Sequence, residues 1–393
     1  MLSAFNLLLK PVGPACNLNC SYCYYLGKEA MYPDPRKCMD DKLARKIIRS
    51  YIQSVDTGEV CFYWHGGEPL LAGLPFYLKV LEWQTEFSDG KTIRNFLQTN
   101  GTLLSEEWGD FLARNNFLVG VSLDGPASVH DRYRMDRGGY PTLSRVLQGI
   151  SVLRKSGVEW NTISTVNKAS EGRGRDVYRF LKSIGSHYMQ FIPVLEYVLP
   201  GEDNRHLVVP PTRKDGVLAP WSVDPVAYGQ FMCDVFDSWK EDGDRGTFFV
   251  DAFDAALAAW CGYPPASCIH AQTCGTNPVV EYNGDLFLCD HFVYPEFQLG
   301  NIRQGNLRDM MQSLQPFSFG ANKRAALPSD CRKCRYLFAC NGGCPKHRFA
   351  KTATGESGLN ALCDGYRLFF SHIAADMQQM KSALILSSMG KSL

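Results

Sequence analysis

Three cysteines near the start of the chain constrain it more than any other feature. They stand in the segment Cys16-Asn-Leu-Asn-Cys20-Ser-Tyr-Cys23, which has the spacing C-x3-C-x2-C. Structural zinc sites are built instead from C-x2-C-type pairs. Three thiolates can hold three irons of a cubane [4Fe–4S] cluster and leave the fourth iron open to a small molecule. The spacing therefore predicts an open iron–sulfur site, and the alternative is three structural or zinc-binding cysteines.

Composition indicates a cytosolic protein with a substantial core. The 393 residues are 45% hydrophobic, and a formal net charge of +1 favours neither a nucleic-acid nor a membrane partner. The N-terminus lacks the features of a signal peptide, and no apolar run approaches the roughly 18 residues of a spanning helix. Because disulfides are rare in a reducing cytosol, the 15 cysteines indicate metal binding or catalysis.

The first half of the chain alternates buried strands with amphipathic helices, which predicts a parallel sheet with right-handed crossovers. The strands are predicted at Phe5–Leu9, Glu59–Trp64, Asn95–Gln98, Leu118–Leu123, Trp160–Val166 and Met189–Pro193. The helices are predicted at Asp41–Ser54, Leu74–Glu86, Ser105–Asn115, Leu143–Ser156 and Gly174–Ile184. Six such units fit an open, TIM-like partial (β/α)6 barrel with a cofactor site at the carboxyl ends of the strands.

The second half has a different character. Residues Pro200–Pro220 are rich in Pro, Gly and charge and predict a loop or insertion. A helix is predicted over Asp224–Glu241 and another over Tyr366–Ser388. Cysteines are dense from Cys261 onward, and the elements there are short. We therefore expect a second, smaller cysteine-rich unit.

Eight cysteines of this second unit follow a regular pattern. Four of them form the run Cys331-x2-Cys334-x5-Cys340-x3-Cys344. The other four are Cys268, Cys274, Cys289 and Cys363, with Gly284 five residues before Cys289. Eight thiolates suffice for two fully ligated [4Fe–4S] clusters, and a pair of zinc ribbons is the alternative.

The N-terminal triplet, with Tyr22 just before its last cysteine, resembles the signature of the radical S-adenosylmethionine (SAM) enzymes. In that family the open iron binds SAM, and one electron splits SAM into methionine and a 5′-deoxyadenosyl radical. The motif Gly66-Gly67-Glu68-Pro69 after the second strand resembles the family's SAM-binding segment, although a plain turn would also explain it. The resemblance implies SAM contacts at Tyr22, Gly66, Gly67, Glu68, Gln98, Ser122, Arg134 and Leu195.

The C-terminal cysteines resemble the SPASM pattern, which implies two auxiliary [4Fe–4S] clusters and three clusters in all. The resemblance assigns one auxiliary cluster to Cys268, Cys274, Cys289 and Cys344. It assigns the other to Cys331, Cys334, Cys340 and Cys363. The implied organisation is a radical SAM partial barrel over residues 1–235, a SPASM domain over 236–365 and a C-terminal helix over 366–393.

A more specific resemblance runs along essentially the whole chain, to the anaerobic sulfatase-maturating enzymes. The segments that carry it are Asn6–Tyr25, Phe62–Gly73, Leu97–Ser105, Leu118–Arg134, Ala271–Asn301 and Cys331–Arg348. It implies that Asp290, directly after Cys289, removes a proton from the target side chain. It also implies that Tyr25 lines the peptide site. His65 stands where some members have Gln, so we expect it to contact the substrate; the alternative is a packed strand-end residue.

The implied reaction oxidises Cys or Ser in a sulfatase C/S-x-P/A-x-R motif to Cα-formylglycine under anaerobic conditions. The adenosyl radical takes a Cβ hydrogen, Asp290 takes the thiol or hydroxyl proton, and an electron leaves toward an auxiliary cluster. The implied partners are an unfolded sulfatase polypeptide and an electron donor of the flavodoxin or ferredoxin type. We expect a cytoplasmic monomer.

Two other functions fit part of the sequence. Another SPASM peptide maturase, which forms a thioether or carbon–carbon crosslink on a ribosomal peptide, would share the barrel and the clusters. A first strand that begins almost at residue 1 argues against the peptide-recognition domain that often precedes such enzymes. A non-enzymatic zinc or iron–sulfur scaffold would explain the C-terminal cysteines but not the Gly66–Pro69 motif.

Overall fold

The computed structural model describes residues 5–32, 38–199, 207–209, 213 and 215–389. Its first half alternates six strands with six helices. The strands are β1 (Leu7–Lys10), β2 (Glu59–Trp64), β3 (Thr92–Thr99), β4 (Leu118–Ser122), β5 (Glu159–Val166) and β6 (Tyr188–Pro193). The helices are α1 (Asp41–Ser54), α2 (Leu74–Phe87), α3 (Glu106–Arg114), α4 (Ala127–Tyr133), α5 (Leu143–Lys155) and α6 (Gly174–Ser183).

The six strands lie in chain order and each pairs in parallel with the next, as predicted. The predicted bounds of β2 and α1 match the structure, and those of the other elements differ by one to three residues. The short helix α4, which interrupts the connection from β4 to α5, was not predicted. Since β1 and β6 do not pair with each other, the sheet is an open one.

Helix α1 shows why the local predictions succeed. The Asp40 side chain accepts a hydrogen bond from the Leu43 N–H at 2.8 Å and caps the helix, which satisfies one of its free donors. Leu43, Ile47 and Tyr51 recur at helical spacing and are buried against the sheet. A cap and an apolar stripe are local features, so the sequence alone defines this helix.

The second half contributes seven helices and nine strands among the described residues. After β6 come β7 (Tyr197–Leu199), β8 (Leu207–Val209), β9 (Val217–Leu218), α7 (Pro225–Glu241), β10 (Phe249–Val250) and α8 (Asp251–Trp260). Next are β11 (Val279–Glu281), β12 (Asp285–Phe287), β13 (Gln298–Asn301), α9 (Leu307–Gln312), α10 (Leu314–Ala325), α11 (Ser329–Arg332) and α12 (Leu337–Cys340). The last are β14 (Ala350–Lys351), β15 (Ser357–Leu359) and α13 (Cys363–Met389).

The predicted loop over Pro200–Pro220 lies partly outside the described residues. Its described parts include the short strands β8 and β9, which pair antiparallel with β7. The helix expected over Asp224–Glu241 is α7, and the C-terminal helix begins at Cys363, three residues before the predicted start.

Segments from the second half extend the sheet at both edges to ten strands. Strand β10 pairs in parallel with β6, and β11 pairs in parallel with β1. Strands β12 and β13 continue the sheet antiparallel. Because β12 runs antiparallel to β11, its last residue, Phe287, lies opposite Val279, which in turn pairs with Leu8 of β1. The loop after β12 contains Cys289 and Asp290, and Asp290 reaches Lys10 at the end of β1 through an ion pair.

Helix α13 packs along α7 and holds the end of the chain to the barrel. A Cβ atom added to Gly365 would lie 2.0 Å from the Pro225 carbonyl oxygen, so the two helices cross where only glycine fits. The described residues contain no helix that is long and apolar enough to cross a membrane.

Candidate active site

The cysteine triplet lies in the loop that joins β1 to α1. Cys16, Cys20 and Cys23 line one cavity of about 240 Å³ at the carboxyl ends of the strands. Burial raises the pKa of the Cys16 thiol to about 12, and the negative charges of neighbouring groups, including Cys23, add to the effect. Since metals bind the thiolate, iron would displace these protons on binding.

The glycines of the Gly-Gly-Glu-Pro motif pack against the start of the cysteine loop. The Gly67 N–H donates to the Gly13 carbonyl at 2.8 Å, and the Glu68 N–H donates to the Ala15 carbonyl at 2.9 Å. A Cβ atom on Gly67 would lie 2.0 Å from the Ala15 oxygen. Gly66 and Gly67 both line the cavity. Gly66 and Gly67 are predicted SAM contacts, and the structure adds a close approach between this motif and the cysteine loop.

The next side chain of the motif is the carboxylate of Glu68, a predicted SAM contact. It is fully buried and is not among the residues that line the cavity. Its oxygens accept hydrogen bonds from the Leu70 N–H at 3.0 Å, the Thr99 hydroxyl at 2.8 Å and the Asn100 N–H at 2.8 Å. The carboxylate therefore ties the motif to the end of β3.

Tyr22 and Arg134 meet at a buried carboxylate that the sequence analysis did not identify. Arg134 makes two 3.0 Å hydrogen bonds to Asp124, and the Tyr22 hydroxyl also donates to Asp124. Burial would raise the pKa of Asp124, but Arg134 holds it below its ordinary value. Tyr22 and Arg134 line the cavity, so this bonding fixes both in its wall.

The remaining predicted SAM contacts occupy neighbouring strand ends. The Gln98 amide donates to the Ser122 hydroxyl at 2.9 Å, and both residues line the cavity. The Leu195 side chain instead belongs to the hydrophobic core, while Val194 and Glu196 on either side of it line the cavity. Any contact that Leu195 makes with a ligand would therefore use its backbone.

Asp290 lines the cavity as a carboxylate that is bonded at both of its oxygens. Lys10, at the end of β1, forms an ion pair with one of its oxygens, and the Tyr24 hydroxyl donates to the other. Burial would raise the pKa of Asp290, but Lys10, His65 and His291 hold it well below its ordinary value. Asp290 is therefore an anion that can accept further hydrogen bonds.

Tyr25 and His65 lie on either side of this group. The Tyr25 hydroxyl donates to the fully buried Glu281, and the Lys10 ammonium lies 3.3 Å from the centre of the Tyr25 ring. Burial lowers the pKa of His65, which lines the cavity and accepts a 2.7 Å hydrogen bond from the Gly66 N–H. Both predicted substrate residues thus border the cavity that holds Asp290.

A second cavity, of about 520 Å³, lies inside the open barrel and adjoins the first. Five residues line both cavities: His65, Gln98, Ile163, Asp290 and His291. Cys268 and Cys289 line the inner cavity, whereas the N-terminal triplet lines only the outer one. Asp290 therefore stands at the junction between the triplet and the inner cavity.

The eight C-terminal cysteines form two spatial groups. In the first, burial raises the pKa of Cys274 and Cys289, and the nearby thiols of Cys268 and Cys344 raise it further. The second group surrounds a small cavity of about 20 Å³ and consists of Cys331, Cys334, Cys340 and Cys363. No three His, Cys, Asp or Glu side chains of the described residues converge on a site for a single metal ion. The SPASM resemblance assigns one auxiliary cluster to each of these groups.

Comparison with known proteins finds a family match in each half of the chain. Residues 11–181 match the radical SAM superfamily, and residues 272–335 match an iron–sulfur cluster-binding domain of the SPASM type. A serine-type anaerobic sulfatase-maturating enzyme of Bacteroides thetaiotaomicron is 47% identical over 96% of this chain and 92% of its own length. This chain belongs to the anaerobic sulfatase-maturating enzymes. It is therefore a radical SAM oxidoreductase, as the resemblance implies.

Other members of the sulfatase-maturating family agree with this placement. A cysteine-type enzyme of Clostridium perfringens is 31% identical over 93% of this chain and 95% of its own length. The solved structure of native anSMEcpe with bound AdoMet and the Cp18Cys peptide superposes with a TM-score of 0.84 at 30% identity. That match covers 97% of this chain and 100% of anSMEcpe, which confirms the predicted fold.

Four residues of this sulfatase-maturating site escaped the sequence analysis: Lys10, Tyr24, Asp124 and Glu281. Lys10, Asp124 and Glu281 are single polar residues outside the motifs, and Tyr24 follows the cysteine triplet without being part of its spacing. A signal existed for Lys10, because a lysine that ends an apolar strand beside a ligand-binding loop is an unusual buried charge. Glu281 ends β11 in the same way, next to Lys10 in the sheet.

Proposed function

We propose that this enzyme oxidises a Cys or Ser side chain in a sulfatase C/S-x-P/A-x-R motif to Cα-formylglycine. The observation that carries the proposal is the position of Asp290, an anion at the junction of the thiol-lined cavity and the inner barrel cavity. A peptide side chain that reached this junction would lie between a radical source and a base. The relatives named as serine-type and cysteine-type maturating enzymes support the same reaction.

The residues of the outer cavity fit the cofactors that the family implies. Cys16, Cys20 and Cys23 would hold a [4Fe–4S] cluster with one open iron. SAM would lie against the cavity wall formed by Tyr22, Gly66, Gly67, Gln98, Ser122 and Arg134. Reduced by one electron, SAM supplies the 5′-deoxyadenosyl radical that removes a hydrogen from the target Cβ.

Two further [4Fe–4S] clusters would occupy the C-terminal thiol groups. Cys268, Cys274, Cys289 and Cys344 would hold the cluster nearer to Asp290, because Cys289 precedes it directly and Cys344 lines the outer cavity. Cys331, Cys334, Cys340 and Cys363 would hold the farther one. Four thiolates complete the iron ligation at each site, so both suit electron transfer rather than ligand binding.

Asp290 acts as the general base for the substrate thiol or hydroxyl. Lys10 and Tyr24 fix its two oxygens, so that it is oriented before the substrate arrives. Each carboxylate oxygen keeps a lone pair for the substrate proton. Bound SAM and peptide would have to fill both cavities to keep water from the reacting carbon.

The inner cavity is the path by which we expect an unfolded sulfatase segment to enter. It is the larger of the two, and it meets the outer cavity at His65 and Asp290. His65 and Tyr25 would position the peptide beside the base. The proposal also includes domain boundaries at residues 235 and 365. The electron donor would be of the flavodoxin or ferredoxin type, and the enzyme would be a monomer in the cytoplasm.

The test is anaerobic turnover of two short peptides that differ only in the target residue. The enzyme is reconstituted with iron and sulfide and given SAM, dithionite and a Ser-x-Pro-x-Arg or a Cys-x-Pro-x-Arg peptide. Formylglycine formation removes two hydrogens from the Ser peptide and also exchanges sulfur for oxygen in the Cys peptide, which mass spectrometry resolves. If 5′-deoxyadenosine forms while neither peptide changes, the sulfatase proposal is wrong and a different peptide substrate is indicated.

A further inference from the structure

Three tyrosines of the cysteine loop each donate a hydrogen bond to a different buried carboxylate. Tyr22 donates to Asp124, Tyr25 donates to Glu281 and Tyr24 donates to Asp290. Asp124 already binds Arg134, and Glu281 is fully buried behind β1. Only the phenol of Tyr24 is joined to the carboxylate that the reaction would use as its base.

The Tyr24 ring is held firmly in the wall of the outer cavity. It packs edge-on against His291, with 5.8 Å between ring centres, and the Lys346 ammonium lies 4.8 Å from its centre. Lys346 is itself paired with the buried Glu196, so this side of the ring is fixed as well. The phenol oxygen therefore has a defined position beside Asp290.

The bonding of Tyr24 leaves an acceptor free. A tyrosine hydroxyl has one proton and two lone pairs, and its proton is given to Asp290. Among the described residues, no group donates a hydrogen bond to the Tyr24 oxygen. Because Tyr24 lines the cavity, a ligand there can fill this acceptor.

We propose that the Tyr24 oxygen accepts a hydrogen bond from the substrate hydroxyl and thereby makes this site selective for serine over cysteine. An O–H group is a strong donor and an S–H group a weak one, so a serine gains more from the contact than a cysteine does. A site that hydrogen-bonds a substrate hydroxyl discriminates against analogues that lack it. This inference rests on the proposed function and names the substrate class of the same site.

The same contact would place the serine oxygen next to the base. Tyr24 and the substrate would then form a short chain, in which the substrate hydroxyl donates to Tyr24 and Tyr24 donates to Asp290. When the base acts, Tyr24 takes the substrate proton as it gives its own to Asp290, which still ends with the proton. Until then the chain consists of hydrogen bonds only. Its effect is to orient the side chain so that its Cβ is presented in one conformation.

The experiment compares wild type with Tyr24→Phe, which removes only the phenol oxygen. Reconstituted enzyme receives an equimolar mixture of Ser and Cys peptides that are otherwise identical, and the ratio of the two kcat/KM values is measured. We expect the Ser-to-Cys ratio to fall about tenfold in the variant, the usual effect of losing one hydrogen bond. A general loss of activity cancels from the ratio, so damage to the fold alone would not change it.

The matched control is Tyr178→Phe on α6, which removes a 2.6 Å tyrosine-to-carboxylate hydrogen bond to Asp244, away from both cavities. It should leave the ratio at the wild-type value. A ratio in Tyr24→Phe equal to that of wild type would overturn the assignment of Tyr24 while leaving the proposed function intact. Failure of wild type to oxidise either peptide would instead reject the proposed function.

A binding measurement keeps the inference testable if Tyr24→Phe does not load iron. Wild-type enzyme with SAM but without reductant cannot turn over, so fluorescence anisotropy gives the equilibrium affinity for Ser, Cys and Ala peptides. We expect the Ser peptide to bind about tenfold more tightly than the Ala peptide, with the Cys peptide between them. Equal affinities for the Ser and Ala peptides, or a preference for Cys, would overturn the inference.

Discussion

The N-terminal triplet and the farther C-terminal thiol group differ in what surrounds them. Cys16, Cys20 and Cys23 border a cavity of about 240 Å³, together with polar side chains at the ends of β2 to β5. The farther group, at Cys331, Cys334, Cys340 and Cys363, encloses a cavity of about 20 Å³. Three ligands beside a large cavity suit binding and chemistry, whereas four ligands around a small one suit structure and electron transfer.

The group that contains Cys289 combines features of both. Its four thiols would complete a cluster, yet Cys268 and Cys289 also line the inner cavity and Asp290 follows directly. In the proposed mechanism, bond cleavage and electron removal would take place at different thiol groups. Substitutions that affect one thiol group and spare another test this division.

The largest effect is expected from Cys20→Ala. It leaves two ligands for the open cluster, so formation of 5′-deoxyadenosine from SAM should fall to background. Iron at the two C-terminal groups should remain bound, which iron and sulfide analysis would show. The control Cys61→Ala removes a thiol of β2 that belongs to none of the three groups. Persistent SAM cleavage in Cys20→Ala would mean that the triplet has another role.

Cys334→Ala, in the farther group, is expected to remove a cluster without stopping SAM cleavage. Since none of these four cysteines lines the outer cavity, SAM cleavage should continue. The cysteine-rich region should lose one cluster's share of iron and become sensitive to protease, because the cluster joins α11, α12 and α13. Limited proteolysis with peptide mapping checks this. Abolished SAM cleavage with intact barrel peptides would contradict the division between the two sites.

Asp290→Asn tests the junction between the cavities. The variant should still make 5′-deoxyadenosine but form formylglycine about 100-fold or more slowly, because the general base is gone. The measurement is the ratio of formylglycine to 5′-deoxyadenosine in the same reaction. Glu296→Gln is the matched control, since it removes an exposed carboxylate six residues away. An unchanged ratio in Asp290→Asn would remove Asp290 from its proposed role.

Lys10→Met should have the smallest effect of the four. The base remains but loses the ion pair that orients it, so formylglycine formation should slow about tenfold. Adding Lys10→Met to Asp290→Asn should slow the reaction no further, because the lysine acts through the aspartate. The exposed substitution Lys42→Met serves as the control. Fully additive effects in the double variant would show that Lys10 acts by another route.

Much of the fold was predictable because its signals are local. The six strands are short buried runs, and helix α1 has both a cap and an apolar stripe, so neighbouring residues suffice to define them. The cysteine spacings are local as well and predict the two kinds of thiol group. Strands β11 to β13 were missed, because they are only three or four residues long and gain stability by joining the edge at β1.

The sequence by itself determined the family and the order of the barrel elements, and the family resemblance implied which cysteines form each group. Motif spacing and hydrophobic period are properties of short segments, so they can be recognised without knowledge of the fold. Tertiary structure alone decided that Lys10 and Tyr24 meet Asp290, from which Tyr24 is separated by 266 positions. It also decided that Glu68 faces into the protein and that Asp124 holds Arg134. Those pairings depend on which strand ends and loops are adjacent in space, and no local pattern encodes that adjacency.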